Sequence, residues 1–190
     1  AIKRWTGTAW EAVPGGPTTL STSGSTGFGN MLLTADLDGT GPQSSVLIFG
    51  GQFESVEQTS SPNLVTFDGT AWAPIQPGEA LWSNAGTNSF TSLIVGDEDG
   101  AGPLPTSLYA YGNFVTAGSS VAKSGVARRD GITWTALAGP TLNPVAAVFY
   151  NDGSGSKLHV IGQTGATIVL SKWDGNNWTT ASSSDLGTCR

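Results

Sequence analysis

Apolar positions along this chain come in short runs bounded by Gly, Asp, Ser and Thr, the pattern of β-strands joined by turns. The runs recur in step. Four segments share one design: Ile2-Lys-Arg-Trp-Thr-Gly-Thr-Ala-Trp10, Leu64-Val-Thr-Phe-Asp-Gly-Thr-Ala-Trp72, Val126-Ala-Arg-Arg-Asp-Gly-Ile-Thr-Trp134 and Leu170-Ser-Lys-Trp-Asp-Gly-Asn-Asn-Trp178. Their closing tryptophans, Trp10, Trp72, Trp134 and Trp178, are separated by 62, 62 and 44 residues. An apolar run ending in glycine falls between them, as Val46–Gly50, Leu108–Gly112 and Leu158–Gly162. Each glycine precedes its tryptophan by 22, 22 and 16 residues, so the shortfall of the last repeat lies largely in one loop, a variation that stacked modules tolerate.

Each unit predicts four strands, A to D. Strand A covers Met31–Ala35, Ser92–Gly96 and Ala146–Tyr150, and each copy runs into an Asp-Gly turn at Asp38-Gly39, Asp99-Gly100 and Asp152-Gly153. Strand B is the glycine-ended run, which aligns Leu47, Tyr109 and His159. Strand C precedes Asp68-Gly69, Asp130-Gly131 and Asp174-Gly175, whose glycines suit a tight hairpin because they accept positive φ at little cost. Strand D begins at the tryptophan and carries an apolar residue three positions on, at Val13, Ile75, Leu137 and Ala181. Pro74 lacks the donor an inner strand needs, which places D at the sheet edge. The chain then reads as a C-D hairpin over residues 1–13, a first blade over 14–76, a second over 77–138, and a third with a tail over 139–190.

Four-stranded antiparallel sheets repeated in this way predict an all-β chain of β-propeller blades, about three and a half of them, which does not close on itself. A two-layer sandwich also explains alternating strands, but not the synchronous return of tryptophan and glycine. Ile48-Phe49-Gly50-Gly51, followed by Leu64–Phe67 and Trp72, resembles a Kelch repeat, in which two glycines end the second strand and an aromatic on the third precedes a tryptophan on the fourth. The other copies carry Gly112-Asn113 and Gly162-Gln163 and are Kelch-like. The resemblance implies the propeller fold. Similar Trp-Asp-Gly-x-x-Trp repeats imply a large secreted or surface protein of bacteria.

Composition narrows the function. The 190 residues include 27 glycines and ten prolines, just under a fifth of the chain, which excludes a helical bundle. A net charge of −6 offers no field for nucleic acid or anionic lipid. No apolar stretch approaches 18 residues, so no membrane span is expected, and residues 1–25 are too polar for a signal peptide. A cytoplasmic chain, a processed one and a fragment all fit. One cysteine, Cys189, forms no internal disulfide; it is either an inert thiol or a link between chains.

Candidate chemistry is sparse. Asp36-Leu-Asp38-Gly-Thr-Gly41 and Asp97-Glu-Asp99-Gly-Ala-Gly102 resemble acidic calcium loops, against which stands turn capping by Asp38, Asp99 and Asp152. Asp36 and Asp97 align with Tyr150 in the third copy. Trp10, Trp72, Trp134 and Trp178 read as packing between blades, with Trp5 and Trp173 as further aromatic contacts. Trp82 lies in a D-to-A connection and is the residue marked for stacking on a sugar, with packing as the alternative. His159 reads as a structural strand residue, and no nucleophile–base arrangement can be built around a single histidine. Arg128 and Arg129 read as a solvated outer face. Asn177-Trp178-Thr179 is a glycosylation sequon within a C-D turn.

No catalytic, cofactor or metal site is therefore assigned. The expected role is a non-catalytic module for protein binding or self-assembly, completing a ring or filament with other copies or with the rest of a larger propeller, outside the cell or on its surface. The alternatives are a lectin-like propeller and a fragment of a glycan-acting enzyme.

Overall fold

The computed structural model describes residues 2–13, 20–22, 25–26, 28–37, 45–53, 55–56, 59–61, 63–75, 89–98, 106–114, 116–117, 120–121, 125–130, 133–139 and 141–182. Every regular element among them is a β-strand. The chain divides into two compact units, Ala1–Leu81 and Trp82–Arg190.

The first unit holds the C-D hairpin, Lys3–Trp5 with Trp10–Ala12, and the first blade. In that blade Phe28–Ala35, Val46–Gln52, Leu64–Phe67 and Trp72–Pro74 are strands A to D of one antiparallel meander, none of it closed into a barrel. Pro74 does sit on the edge strand. Phe49, Phe53 and Val65 form one core cluster of the blade, against which Ile2 of the hairpin and Trp72 pack. The Phe49 ring, stacked on Phe53 at 5.5 Å, fills the space left by Gly29, where a Cβ would meet it at 1.9 Å. A small second sheet was not legible: Leu20–Thr22 pairs with Ser25–Thr26 on one side and Ser55–Val56 on the other, and Ser55–Val56 pairs with Thr59–Ser60, joining the D-to-A and B-to-C connections.

The second unit repeats the meander twice. Ser89–Gly96, Ser107–Asn113, Val126–Asp130 and Thr133–Ala136 form the second blade, and Asn143–Asn151, Ser156–Thr164, Thr167–Trp173 and Trp178–Ser182 the third. The two share one core of Tyr109, Val126, Leu137, Leu142, Leu158, Val160, Val169 and Trp173.

Pairing between strands corrects the repeat alignment. Leu47, Leu108 and Leu158 lie opposite Phe67, Arg129 and Trp173, so strand B of the first blade aligns one residue later than its glycine pattern indicates. Gly51, not Gly50, is the equivalent of Gly112 and Gly162, and Ile48, not Leu47, that of Tyr109 and His159. The cause is local. Gly51 and Gly112 each donate an N–H to a residue with left-handed backbone at the start of strand C, Asn63 (φ 67°) and Gly125 (φ 63°), at 3.0 and 2.9 Å. One residue fewer in the first blade's connection shifts the count, and two adjacent glycines hide the shift. In the third blade the connection shrinks to the Gly165 turn, and Gly162 pairs with Val169 in an ordinary ladder.

The same ladders correct the A-B turns. Ala35, Gly96 and Tyr150 pair with Val46, Ser107 and Lys157, so Asp36 and Asp97 align with Asn151, and Leu37, Glu98 and Asp152 form the next register position. Each strand A is longer than predicted and carries a bulge at the same place, at Asn30, Thr91 and Val145.

Candidate functional site

Two registers run across every blade and define its two faces. One register comprises Thr34-Leu47-Phe67-Trp72 in the first blade, Val95-Leu108-Arg129-Trp134 in the second and Phe149-Leu158-Trp173-Trp178 in the third. The neighbouring register, on the opposite face because side chains alternate along a strand, comprises Leu33-Ile48-Thr66-Ala73, Ile94-Tyr109-Arg128-Thr135 and Val148-His159-Lys172-Thr179. Within the second unit, the Ile94-Tyr109 face of the second blade packs on the Phe149-Trp173 face of the third. Phe149 meets Tyr109 edge-on at 5.0 Å and lies over Gly96, where a Cβ would stand 2.0 Å from its ring.

At one end of this contact sits Glu98, buried at 3% exposure. Its Oε1 accepts the Tyr109 hydroxyl at 2.6 Å and the Trp173 indole N–H at 3.1 Å. Its Oε2 accepts Arg128 Nη1 at 3.1 Å, an ion pair within the blade. Lys157 Nζ donates to the Glu98 carbonyl at 3.2 Å and to that of Asp174 at 3.5 Å. Burial, then the hydrogen bond to the Glu98 carboxylate, pushes the Tyr109 phenol well above its ordinary pKa, so it stays a proton donor. A buried carboxylate with three donors is a satisfied anchor. It ties strand A's end to strands B and C of its own blade and to the tryptophan of the next.

The third blade builds the same pair without a cover. Asp152, at the Glu98 position, takes Lys172 Nζ at 2.9 Å, and Lys172 holds the Arg128 position. The Ser154 hydroxyl and then Lys172 hold the Asp152 carboxyl below the usual carboxylate range. The face that carries this pair is open: Val148 is 53% exposed and Tyr150 59%, and Ile161 is exposed as well. Ala146, Val148, His159, Ile161 and Leu170 line a shallow apolar depression there. Tyr150 and His159 meet edge-on at 5.7 Å.

The N-terminal hairpin presents a matching element. Trp5 pairs with Trp10 as Trp173 pairs with Trp178, and the ring geometries agree, 5.6 Å and 54° against 5.3 Å and 49°. Trp173 is buried at 6%, but Trp5 and Trp10 are 54% and 64% exposed. Packing between blades is seen at Trp173 and Trp178, which lie in or against the core shared by the second and third blades; Trp134 is buried, Trp72 packs on its own blade's Phe49 and Phe67, and Trp5 and Trp10 are exposed.

Other candidates fall as follows. Arg128 and Arg129 do not form a solvated face; Arg129 is buried and Arg128 is held by Glu98. His159 is half-buried in strand B, its Nδ1 3.1 Å from the Lys157 carbonyl. Asn177 is exposed in its turn, as the sequon requires. Asp38, Asp99, Trp82 and Cys189 lie outside the described residues, and among those described no three His, Cys, Asp or Glu side chains gather into a metal site. The C-D turns of the first and third blades are four-residue loops with Gly69 and Gly175 at positive φ, in which Asp68 Oδ1 accepts Thr70 N and Ala71 N at 2.8 Å and Asp174 Oδ1 accepts Asn176 N and Asn177 N at 2.9 and 2.7 Å, whereas in the second blade Asp130 pairs directly with Thr133. Sequence reasoning missed Glu98. The available signal was a charged residue at the register position that holds Leu37 in the first blade. Comparisons with protein-family models, with curated proteins and with solved structures find no match to this chain.

Proposed function

We propose that this chain is a non-catalytic propeller module of Kelch-like blades that binds protein, including further copies of itself, at the cell surface or outside the cell. The observation that carries this reading is the open face of the third blade, with Val148, Tyr150 and Ile161 exposed at register positions whose counterparts in the second blade support a packed blade contact. Apolar faces of this kind mark association surfaces. The resemblance of the repeats to those of bacterial surface proteins supports the location. Sedimentation velocity over a wide concentration range, with negative-stain images of the same material, tests the reading. Assembly that grows with concentration is expected; a folded chain that stays monomeric throughout overturns it.

A further inference from the structure

The packed pair of blades shows what covers a face of this type. On the second blade, the covering elements are strand A of its neighbour, through Phe149, and the C-D tryptophan pair, through the Trp173 N–H on Glu98. On the third blade these two places differ. At the position of Gly96, the glycine that makes room for Phe149, the third blade carries Tyr150. The Tyr150 ring meets His159 edge-on, as Phe149 meets Tyr109 from the neighbouring blade, and His159 holds the Tyr109 position. The third blade has thus filled the strand A place with its own side chain. The other place stays open: Asp152 stands where Glu98 receives an indole, and its base, Lys172, is already supplied. The face fits a partner that brings a C-D tryptophan pair and leaves the strand A place to Tyr150. The Lys3–Ala12 hairpin carries such a pair, with both indoles exposed and set close to the angle of the buried pair.

We propose that the third blade's open face receives the Trp5–Trp10 hairpin of a second copy, head to tail, with the Trp5 indole N–H donating to Asp152. The proposal rests on the reading of the chain as a self-associating module and assigns the two surfaces involved. A contact between unlike surfaces propagates from copy to copy and closes only if the rotation permits.

The test uses variants of the whole 190-residue chain, two of them in combination. The first, Trp5→Ser with Trp10→Ser, removes the hairpin's indoles; the second, Val148→Asp, puts a charge on the face, with Ile161→Lys as an independent version. All four positions are exposed, and matching circular dichroism and melting curves establish that the variants are folded. Each variant alone is expected to sediment as a monomer where the parent chain associates. Mixed in equal amounts they are expected to form a two-chain complex and nothing larger, since the mixture contains one intact junction. Asp152→Ala is expected to weaken association by about 10-fold or more, the loss of one hydrogen bond to a charged group. If the parent associates but the variants associate equally well, or if the mixture yields no complex, the surface assignment falls while self-association stands. A monomeric parent overturns both.

Discussion

The Trp173 indole donates its N–H to the Glu98 carboxylate at 3.1 Å across 75 residues of sequence, from strand C of one sheet to the end of strand A of another. This bond and the Tyr109 and Arg128 contacts make Glu98 the polar anchor of the second unit's blade contact. Glu98→Ala strands two buried donors and removes the ion pair to Arg128, and is expected to cost about 3–5 kcal/mol in urea unfolding. Glu98→Gln keeps the acceptor and most of the shape, and should cost clearly less. Equal losses for the two would mean that the hydrogen bonds contribute nothing beyond packing.

The first blade carries Leu37 and Thr66 at the positions of Glu98 and Arg128. A double-mutant cycle with Glu98→Leu and Arg128→Thr is therefore expected to show a coupling of about 1–3 kcal/mol, the double variant being less destabilised than the two singles together. Additive losses would show that the pair acts independently.

Gly96 and Phe149 form a steric couple, with no room for a Cβ beneath the ring. Gly96→Ala should cost about 1–3 kcal/mol, by forcing the ring out of its place against Tyr109. Phe149→Leu is itself destabilising but should recover part of the Gly96→Ala loss when the two are combined. Full additivity in thermal unfolding would show that the ring moves freely.

At Asn63 the backbone is left-handed and the side-chain amide donates to the Gly51 carbonyl at 2.9 Å. Asn63→Gly relieves the backbone but loses that bond; Asn63→Ala loses the bond and adds about 1–2 kcal/mol of backbone strain. The expected order of stability is Asn, Gly, Ala. Alanine matching glycine would refute the conformational account.

Asp68 caps its turn as a carboxylate, and the backbone N–H of Ala71, followed by the Thr70 hydroxyl and N–H, lowers its pKa from an ordinary 3.8 to about 2. A depressed folded-state pKa means stabilisation that is complete above 3.8 and lost as pH falls through about 2. Asp68→Asn should therefore be less stable than the parent at neutral pH, with the gap closing across that window. A gap independent of pH would show that the charge plays no part.

The strands, their order, the edge position of D and the repeat itself were legible because tryptophan, Asp-Gly and glycine are strong local markers. The one-residue offset at Gly50-Gly51 was not, because two adjacent glycines satisfy either alignment and only pairing with Leu64 and Val65 decides. The Glu98 anchor was hidden for a different reason. Its partners Tyr109, Arg128 and Trp173 lie in three strands of two sheets, and a lone glutamate within an acidic turn reads as solvated. The open face was not legible, because only the ladders put Tyr150 at the Gly96 position.

The bulge shared by the three A strands marks a place where these repeats resist change in length. Deleting Asn30, Thr91 or Val145 would reverse the inside–outside phase of every residue upstream in that strand, whereas the connection between strands B and C has already lengthened and shortened without disturbing either face. Changes in length should therefore crowd into that one connection and spare the bulge, so new binding loops would grow there first.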